Sequence, residues 1–364
     1  MNAAPGKFMA VVGACLLLAG CAQTGPPLPP SLELPRPPSD LRASRKGNVV
    51  TLTWSEPRLT TDRQSVRYLG PTRICRSAEP EMAECGDPAG LAAAPQRVPK
   101  QKPAQAKPQL YADTLPSALQ EQNPAGEITY AVEVLNRDGR GAGLSNRVRV
   151  PAVPTLPPPQ DLAAEPAAKG IVLTWTSAGS MPGPAGVEHR YRIYRRDEST
   201  GKDAVAGEVP VGEAGSAQFV DSSFEWEHTY LYRAVTVSIV SRPGGEVQVE
   251  GDDTPAVRVV AHDVFPPDVP AGLQAGYSGE GQKAFVDLVW APVTDADFAG
   301  YNVYRHEVGA TATKLNSELV KSPSYRDSAV DSGKTYFYSV SAVDVRGNES
   351  GKSEEASETV PVKN

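Results

Sequence analysis

The chain repeats itself three times, and that repetition restricts its fold more than any other feature. Leu-x-Ala occurs at Leu41 to Ala43, Leu162 to Ala164 and Leu273 to Ala275, each just after a proline cluster. An alternating segment ending in tryptophan follows each time: VVTLTW to Trp54, IVLTW to Trp175 and FVDLVW to Trp290. Next come TRICR, YRIYRR and YNVYRH, which put Ile74, Ile193 and Val303 in equivalent positions. An aromatic-x-Asp-Ser/Thr step appears at Tyr111 to Thr114, Phe219 to Ser222 and Tyr325 to Ser328. Last, a Thr-Tyr pair opens a strand at Tyr130, Tyr230 and Tyr336. Five signals in one order define three serial units.

Alternation such as Val50, Leu52, Trp54 turns one face of a strand inward, and an indole fills the space between two sheets about 10 Å apart. The Asp after each aromatic starts a turn. A tyrosine opening the next strand packs its ring inside while its hydroxyl ties down the preceding corner. Thirty-five prolines and thirty-two glycines, with no long stretch of helical periodicity, point to short strands and many turns. The chain is therefore expected to be all-β. The whole pattern resembles the fibronectin type III family over nearly all of residues 36–362. It is strongest in the third unit, where YFYSVSAVDVRGNES is similar to the family's last hairpin. The resemblance implies three tandem immunoglobulin-like β-sandwiches, at residues 36–151, 157–261 and 266–362. PAVPTLPPPQ and HDVFPPDVP join them as semi-rigid polyproline II spacers, so a rod is expected.

The N-terminus is a different kind of sequence. Lys7 precedes thirteen apolar residues, Phe8 to Gly20, short of a bilayer span, and residues 1–20 read as a removable secretory signal. The ending Leu18-Ala19-Gly20-Cys21 resembles the lipobox of bacterial lipoproteins. That resemblance implies diacylglyceryl transfer to the Cys21 thiol, cleavage before it and acylation of the new amino group. Several acyl chains hold a protein where one holds only marginally. Residues 21–35 then form a lipidated proline-rich stem, and Ala22 after the cysteine implies an outer-membrane address in the bacterial cell envelope. From Cys21 to the first unit, AQTGPPLPPSLELPRPP reaches about 50 Å at ~3.1 Å per residue.

A formal net charge of −7 argues against nucleic acid as a partner. The charge is uneven: residues 36–151 carry 17 Lys+Arg against 12 Asp+Glu, whereas 152–265 carry 9 against 16 and 266–364 carry 9 against 14. The stem-proximal unit is basic and the distal units are acidic. The first unit is also longer, with 35 positions from Arg76 to Tyr111 against 24 and 20 in the others. Its excess, AAAPQRVPKQKPAQAKPQ, has neither periodicity nor acids and reads as a mobile loop. There Arg97, Lys100, Lys102 and Lys107 are either solvated or set against an anionic surface.

No cofactor or catalytic constellation is indicated. His189, His228, His262 and His306 are scattered without paired metal spacing. No Gly-x-Ser-x-Gly occurs, and GEGQKA precedes a strand rather than opening a helix. Asp295-Ala296-Asp297 offers two carboxylates, but without the twelve-residue calcium loop it reads as a turn. Trp226 in FEWEHTY is either a cap over its corner or an exposed face for a sugar or protein.

Cys75 takes the place of Tyr194 and Tyr304, and Cys85 follows after nine residues that can fold back, so with export a Cys75–Cys85 disulfide is expected. The corner tyrosines are expected to be structural. The reading is a lipid-anchored, non-enzymatic envelope protein. Its partners are the membrane through the anchor and, first, an unidentified envelope protein bound by a scaffolding rod. A polysaccharide is the second reading, which a row of exposed aromatics on one sheet face would favour.

Overall fold

Alternation becomes strand wherever it is strict. In the computed structural model, residues 32–95, 108–177, 179, 186–242, 244–278 and 283–362 are described. Cys21, the signal segment and Arg97, Lys100, Lys102 and Lys107 lie outside them. The first unit holds β1 (Arg42–Lys46), β2 (Val49–Ser55), β3 (Thr72–Ser77), β4 (Gly90–Ala92), β5 (Pro108–Thr114), the helix α1 (Ser117–Gln122), β6 (Glu127–Val134) and β7 (Val148–Pro151). The second holds β8 (Gln160–Ala167), β9 (Gly170–Ser177), β10 (Val187–Asp197), β11 (Asp203–Pro210), β12 (Gly215–Asp221), β13 (Thr229–Arg242), β14 (Gly245–Asp253) and β15 (Val257–Val260). The third holds β16 (Gln274–Ser278), β17 (Phe285–Val289), β18 (Phe298–Glu307), β19 (Thr313–Lys314), β20 (Ser324–Asp327), β21 (Thr335–Asp344) and β22 (Ala356–Thr359).

Each unit is a pair of antiparallel sheets. The three-stranded sheets run β1-β2-β5, β12-β9-β8 and β16-β17-β20; their partners run β4-β3-β6-β7, β11-β10-β13-β14 with β15 also on β13, and β19-β18-β21-β22. This strand order is the arrangement that the fibronectin type III resemblance implies. Every unit has its own core, drawn from both sheets: Leu52, Trp54, Ile74 and Val132; Leu173, Trp175, Ile193 and Tyr232; Leu288, Trp290, Val303 and Tyr338. Trp175 and Trp290 meet Tyr191 and Tyr301 edge to face, at centroid distances of 5.4 and 5.0 Å. The fold is all-β, multi-domain and built of sandwiches. Among the described residues no helix is long and apolar enough to cross a membrane.

One alignment needs correction. The pairs Arg76↔Tyr130, Arg195↔Tyr232 and Arg305↔Tyr338 are equivalent, so Tyr130 stands where Tyr232 and Tyr338 stand. It is not the counterpart of Tyr230 and Tyr336; Ile128 is. The Thr-Tyr pair of the first unit is displaced by two residues, and a shift of two leaves every inward side chain inward. Hydrophobic pattern therefore could not reveal it. Only the second and third units have a hydroxyl at the corner, where Tyr230 and Tyr336 accept the backbone N–H of Glu225 and Asp331 at 3.0 Å.

The first proline spacer is fastened rather than free. Val153 packs with Val240 and Val249, and the Thr236 hydroxyl donates to the Pro157 carbonyl. Adjacent units also touch directly. The Gly47 N–H donates to the Glu250 carbonyl at 2.7 Å, and Arg242 Nη2 donates to the Gly126 carbonyl at 2.6 Å.

Candidate functional site

Five clusters stand out among the described residues. The first recurs in every unit. Arg76, Arg195 and Arg305, two positions beyond Ile74, Ile193 and Val303, donate to Asp113, Asp221 and Asp327 at 2.6, 2.6 and 2.7 Å. The hydroxyls of Tyr130, Tyr232 and Tyr338 donate to the same carboxylate oxygens at 2.6, 2.8 and 3.0 Å. Burial comes first in pushing Tyr232 and Tyr338 far above the usual phenol range, and the facing carboxylates add to it. A phenol locked in its protonated form is a permanent donor, so these triads tie strand to strand. A groove or a reacting group is absent from their surroundings as described, and threefold recurrence fits structure better than one ligand site. The sequence carried the arginines in plain view, at a fixed offset in TRICR, YRIYRR and YNVYRH.

The second cluster stabilises the first unit. Cys75 and Cys85 are joined by a disulfide, with their Cα atoms 5.2 Å apart. Cys75 packs with Met82 and Ala131, and Arg147 clasps the Met82 carbonyl from below the excursion. Replacing both cysteines by serine is expected to cost the first sandwich about 2 kcal/mol, because the open chain regains loop entropy. Denaturant unfolding of the variant, compared with wild type with and without reductant, measures it.

The third cluster contains the histidine with the most polar company. Asp197 Oδ2 lies 2.8 Å from His228 Nδ1, and Ser199 donates both its hydroxyl and its N–H to Asp197 Oδ1. Those bonds to Ser199, then His228, hold the Asp197 carboxyl well below its usual range. A nucleophilic hydroxyl must donate to the imidazole, with the carboxylate on the far side. Here the carboxylate lies between the two, and the arrangement is a turn. Of the other histidines, His189 pairs with Ser238 and His262 with Glu227, while His306 lies between the Glu307 carbonyl and Glu355, each at 2.9 Å. Trp226 lies between Phe224 and Phe265 at centroid distances of 4.6 and 5.8 Å, half-buried, and is a cap.

Asp297 belongs to a cluster that also spans the second junction. Its carboxylate lies with those of Asp263 and Asp344, all within 4.8 Å of one another. Burial first, and then the two facing carboxylates, push Asp297 above the usual carboxylate range. A cation already sits there: Arg346 reaches Asp263 at 3.1 Å, Glu227 at 3.4 Å and Asp297 at 3.8 Å. Asp295 takes the turn role through its carbonyl, which accepts the Phe298 N–H at 3.2 Å, and its side chain accepts the Asp268 N–H at 2.9 Å.

The fifth is a groove, more enclosed than the open cleft of similar volume that Glu198, Ser199, Glu227, His228 and Thr229 line on the second sandwich. The groove holds about 350 Å³ at one end of the first sandwich, lined by Glu33, Arg67, Tyr68, Arg137, Asp138 and Arg140, with Leu32 and Asn136. Its floor is rigid. Val66 and Leu69 anchor inward on Val134, so Arg67 and Tyr68 between them point out. Gly70 lets that loop run against the Asn136 carbonyl, where a Cβ would collide. The buried Asn136 side chain accepts the N–H groups of Asp138 and Arg140, each at 2.9 Å, and donates to the Leu32 carbonyl. Tyr68 is 63% exposed, and every other described aromatic is buried or half-buried. No row of exposed aromatics lies on a described sheet face. Sequence reasoning missed Tyr68 because RYLG lies between strands, where periodicity carries no information.

No family model matches the chain. It is 35% identical over 110 residues to an amylopullulanase of Thermoanaerobacterium saccharolyticum, covering 29% of this chain and 8% of the relative. It is 29% identical over 167 residues to exoglucanase B of Cellulomonas fimi, covering 44% of this chain and 14% of the relative. The chain thus spans only a small part of these curated relatives. Among solved structures, the FN1–FN3 domains of chicken CNTN1 align with 90% of this chain and 99% of theirs at 16% identity and a TM-score of 0.25. The fold assignment rests on strand order and register, not on that superposition.

Proposed function

We propose that this chain is a non-catalytic accessory protein that binds polysaccharide, carried on the bacterial envelope by a lipid on Cys21 and a proline-rich stem. Its working part is three fibronectin type III-like domains, with the Tyr68 groove as the sugar site. The sequence alone favours a protein-binding scaffold. The observation that reverses the order is the pair of relatives, which are by name an amylopullulanase and an exoglucanase. The matched stretches are a small share of each relative, as an accessory segment would be. A rigid groove with one exposed aromatic is the kind of concave site that takes a ligand of a few rings.

The test is co-sedimentation of the full-length chain, in neutral detergent, with insoluble starch, cellulose and peptidoglycan. Retention on at least one, with no reducing ends released, is the expected result. Release of sugar would make the protein an enzyme, and retention on none would remove the polysaccharide reading. The anchor has its own test. Cys21→Ala should leave the sandwiches folded but move the protein from the membrane to the soluble fraction, because uncleaved or unlipidated chain lacks the acyl chains that hold it. A Cys21→Ala protein still in the outer-membrane fraction would refute lipidation there.

A further inference from the structure

The groove's place in the fold explains why it is open. In the second and third sandwiches, the end of the long central strand or the turn after it carries an arginine to the preceding unit: Arg242 pairs with Glu127 at 3.3 Å and Arg346 with Glu227 at 3.4 Å. The corresponding turn of the first sandwich, residues 136–140, is built like that of the third. Asn136 accepts from the N–H groups two and four residues on, as Asp344 does from Arg346 and Asn348. Among the described residues, no other sandwich meets its arginines. The Asn136 side chain holds only the incoming segment at Leu32, and Arg137 and Arg140 remain at an exposed pole beside Arg67 and Tyr68.

The charges at this pole are specific. Asp138 lies 3.7 Å from Arg137 and answers it. Neither Arg67 nor Arg140 has a side-chain hydrogen bond or ion pair to a described residue. Glu33 also lines the groove and is itself engaged, which leaves two unanswered guanidiniums flanking one exposed phenol ring in a space of about 350 Å³. A guanidinium holds a planar carboxylate or a phosphate through two parallel N–H bonds, and an aromatic face takes the apolar C–H face of a sugar ring. A neutral glucan would use the ring and leave both cations idle.

Resting on the polysaccharide-binding reading, we propose that this groove binds acidic sugars, carboxylated or phosphorylated, with Tyr68 as the stacking face and Arg67 and Arg140 as the anion ligands. The ligand is an anionic glycan rather than a bilayer surface, because the arginines line a concavity and not a flat face. The basic balance of residues 36–151 then has a use: it raises the local concentration of polyanions around the one unit that binds them.

The experiment is titration calorimetry of the full-length chain in neutral detergent with galacturonate oligomers and a sugar phosphate. Malto- and cello-oligomers serve as neutral comparators, and vesicles with and without anionic lipid as a membrane arm. The acidic ligands should bind and the neutral ones bind far less. Tyr68→Ala and the double variant Arg67→Ala/Arg140→Ala should each weaken acidic binding about 10-fold or more, and Tyr68→Phe should stay within about 2-fold. All are surface changes, so unchanged thermal midpoints exclude misfolding. Raising salt from about 0.05 M to about 0.5 M should weaken the acidic ligands most. Neutral oligomers binding as well as acidic ones, with the arginine variant unaffected, would overturn the acidic-sugar site and leave the accessory reading intact. Binding of anionic vesicles in place of acidic oligomers would replace the glycan site with a membrane contact. Failure of every sugar would overturn both.

Discussion

Asp221→Ala should cost the second sandwich about 3 to 5 kcal/mol, the range for a buried ion pair that loses one partner. The Asp221 side chain is 1% exposed. It accepts from Arg195 at 2.6 Å, from the Tyr232 hydroxyl at 2.8 Å, and from the Ser223 hydroxyl and N–H at 2.7 and 2.9 Å. Truncation strands a guanidinium and a phenol in a site that keeps out the water they would need. Burial pushes the Asp221 carboxyl up, but the Ser223 donors, Tyr232 and Arg195 together hold it below the usual range. A carboxyl lowered on folding adds stability that is present above its unfolded value and is lost as pH falls through its folded value. The wild-type second sandwich should therefore weaken in acid below about pH 4, the usual carboxylate range, and the variant should lack that part of the acid transition. Hydrogen exchange resolved along the chain is the suitable readout, since three cores need not unfold together. Loss of protection confined to β8 through β15 is expected, and an unchanged protection pattern would contradict the triad's role.

The triads also show what a single sequence makes legible. The three sandwiches could be read because each strand alternates and each unit repeats the order of Trp, Asp and Tyr. The buried Asp113, Asp221 and Asp327 positions could be read as turns, and they do start turns, as the Ser223 bonds to Asp221 show. Their second task, holding an arginine and a tyrosine, depends on cross-strand register, which alternation leaves undetermined by multiples of two. The same ambiguity set Tyr130 beside Tyr230 and Tyr336 instead of Tyr232 and Tyr338. Tyr68 was harder still. Its exposure follows from Val66 and Leu69 both finding Val134, a contact between distant segments. The junctions were hidden for a related reason: Arg346 lies in VRGNES, where nothing local says that Asp263 lies opposite.

Arg346→Ala should loosen the join between the second and third sandwiches and lower stability by about 3 kcal/mol, since it leaves buried carboxylate without its cation. Asp263 is 1% exposed in its side chain, and Arg346 answers it together with Glu227 and Asp297. Without the guanidinium, Asp263, Asp297 and Asp344 face one another, with the backbone N–H of residue 346 and Asn348 as the remaining donors to Asp344, and His262 engages Glu227 from the rim. Asp297 is already raised by burial and by its neighbours. A carboxyl raised on folding binds its proton more tightly in the native state, so its contribution to stability falls as pH rises through that raised value. Deleting Arg346 removes the one positive charge opposing this and should raise the cluster further. The variant's deficit should be largest at neutral pH and shrink as pH falls through the raised carboxylate range, whereas the deficit of Asp221→Ala, whose lost carboxyl is a lowered one, should shrink only at more acid pH. The conservative Arg346→Lys should recover only part of the join, because one ammonium cannot fork among three carboxylates. Small-angle scattering and residual dipolar couplings across the second junction measure the result. A variant whose second and third sandwiches keep their relative orientation at neutral pH would show that the Phe265 contact with Trp226, and not the ionic clasp, holds the join.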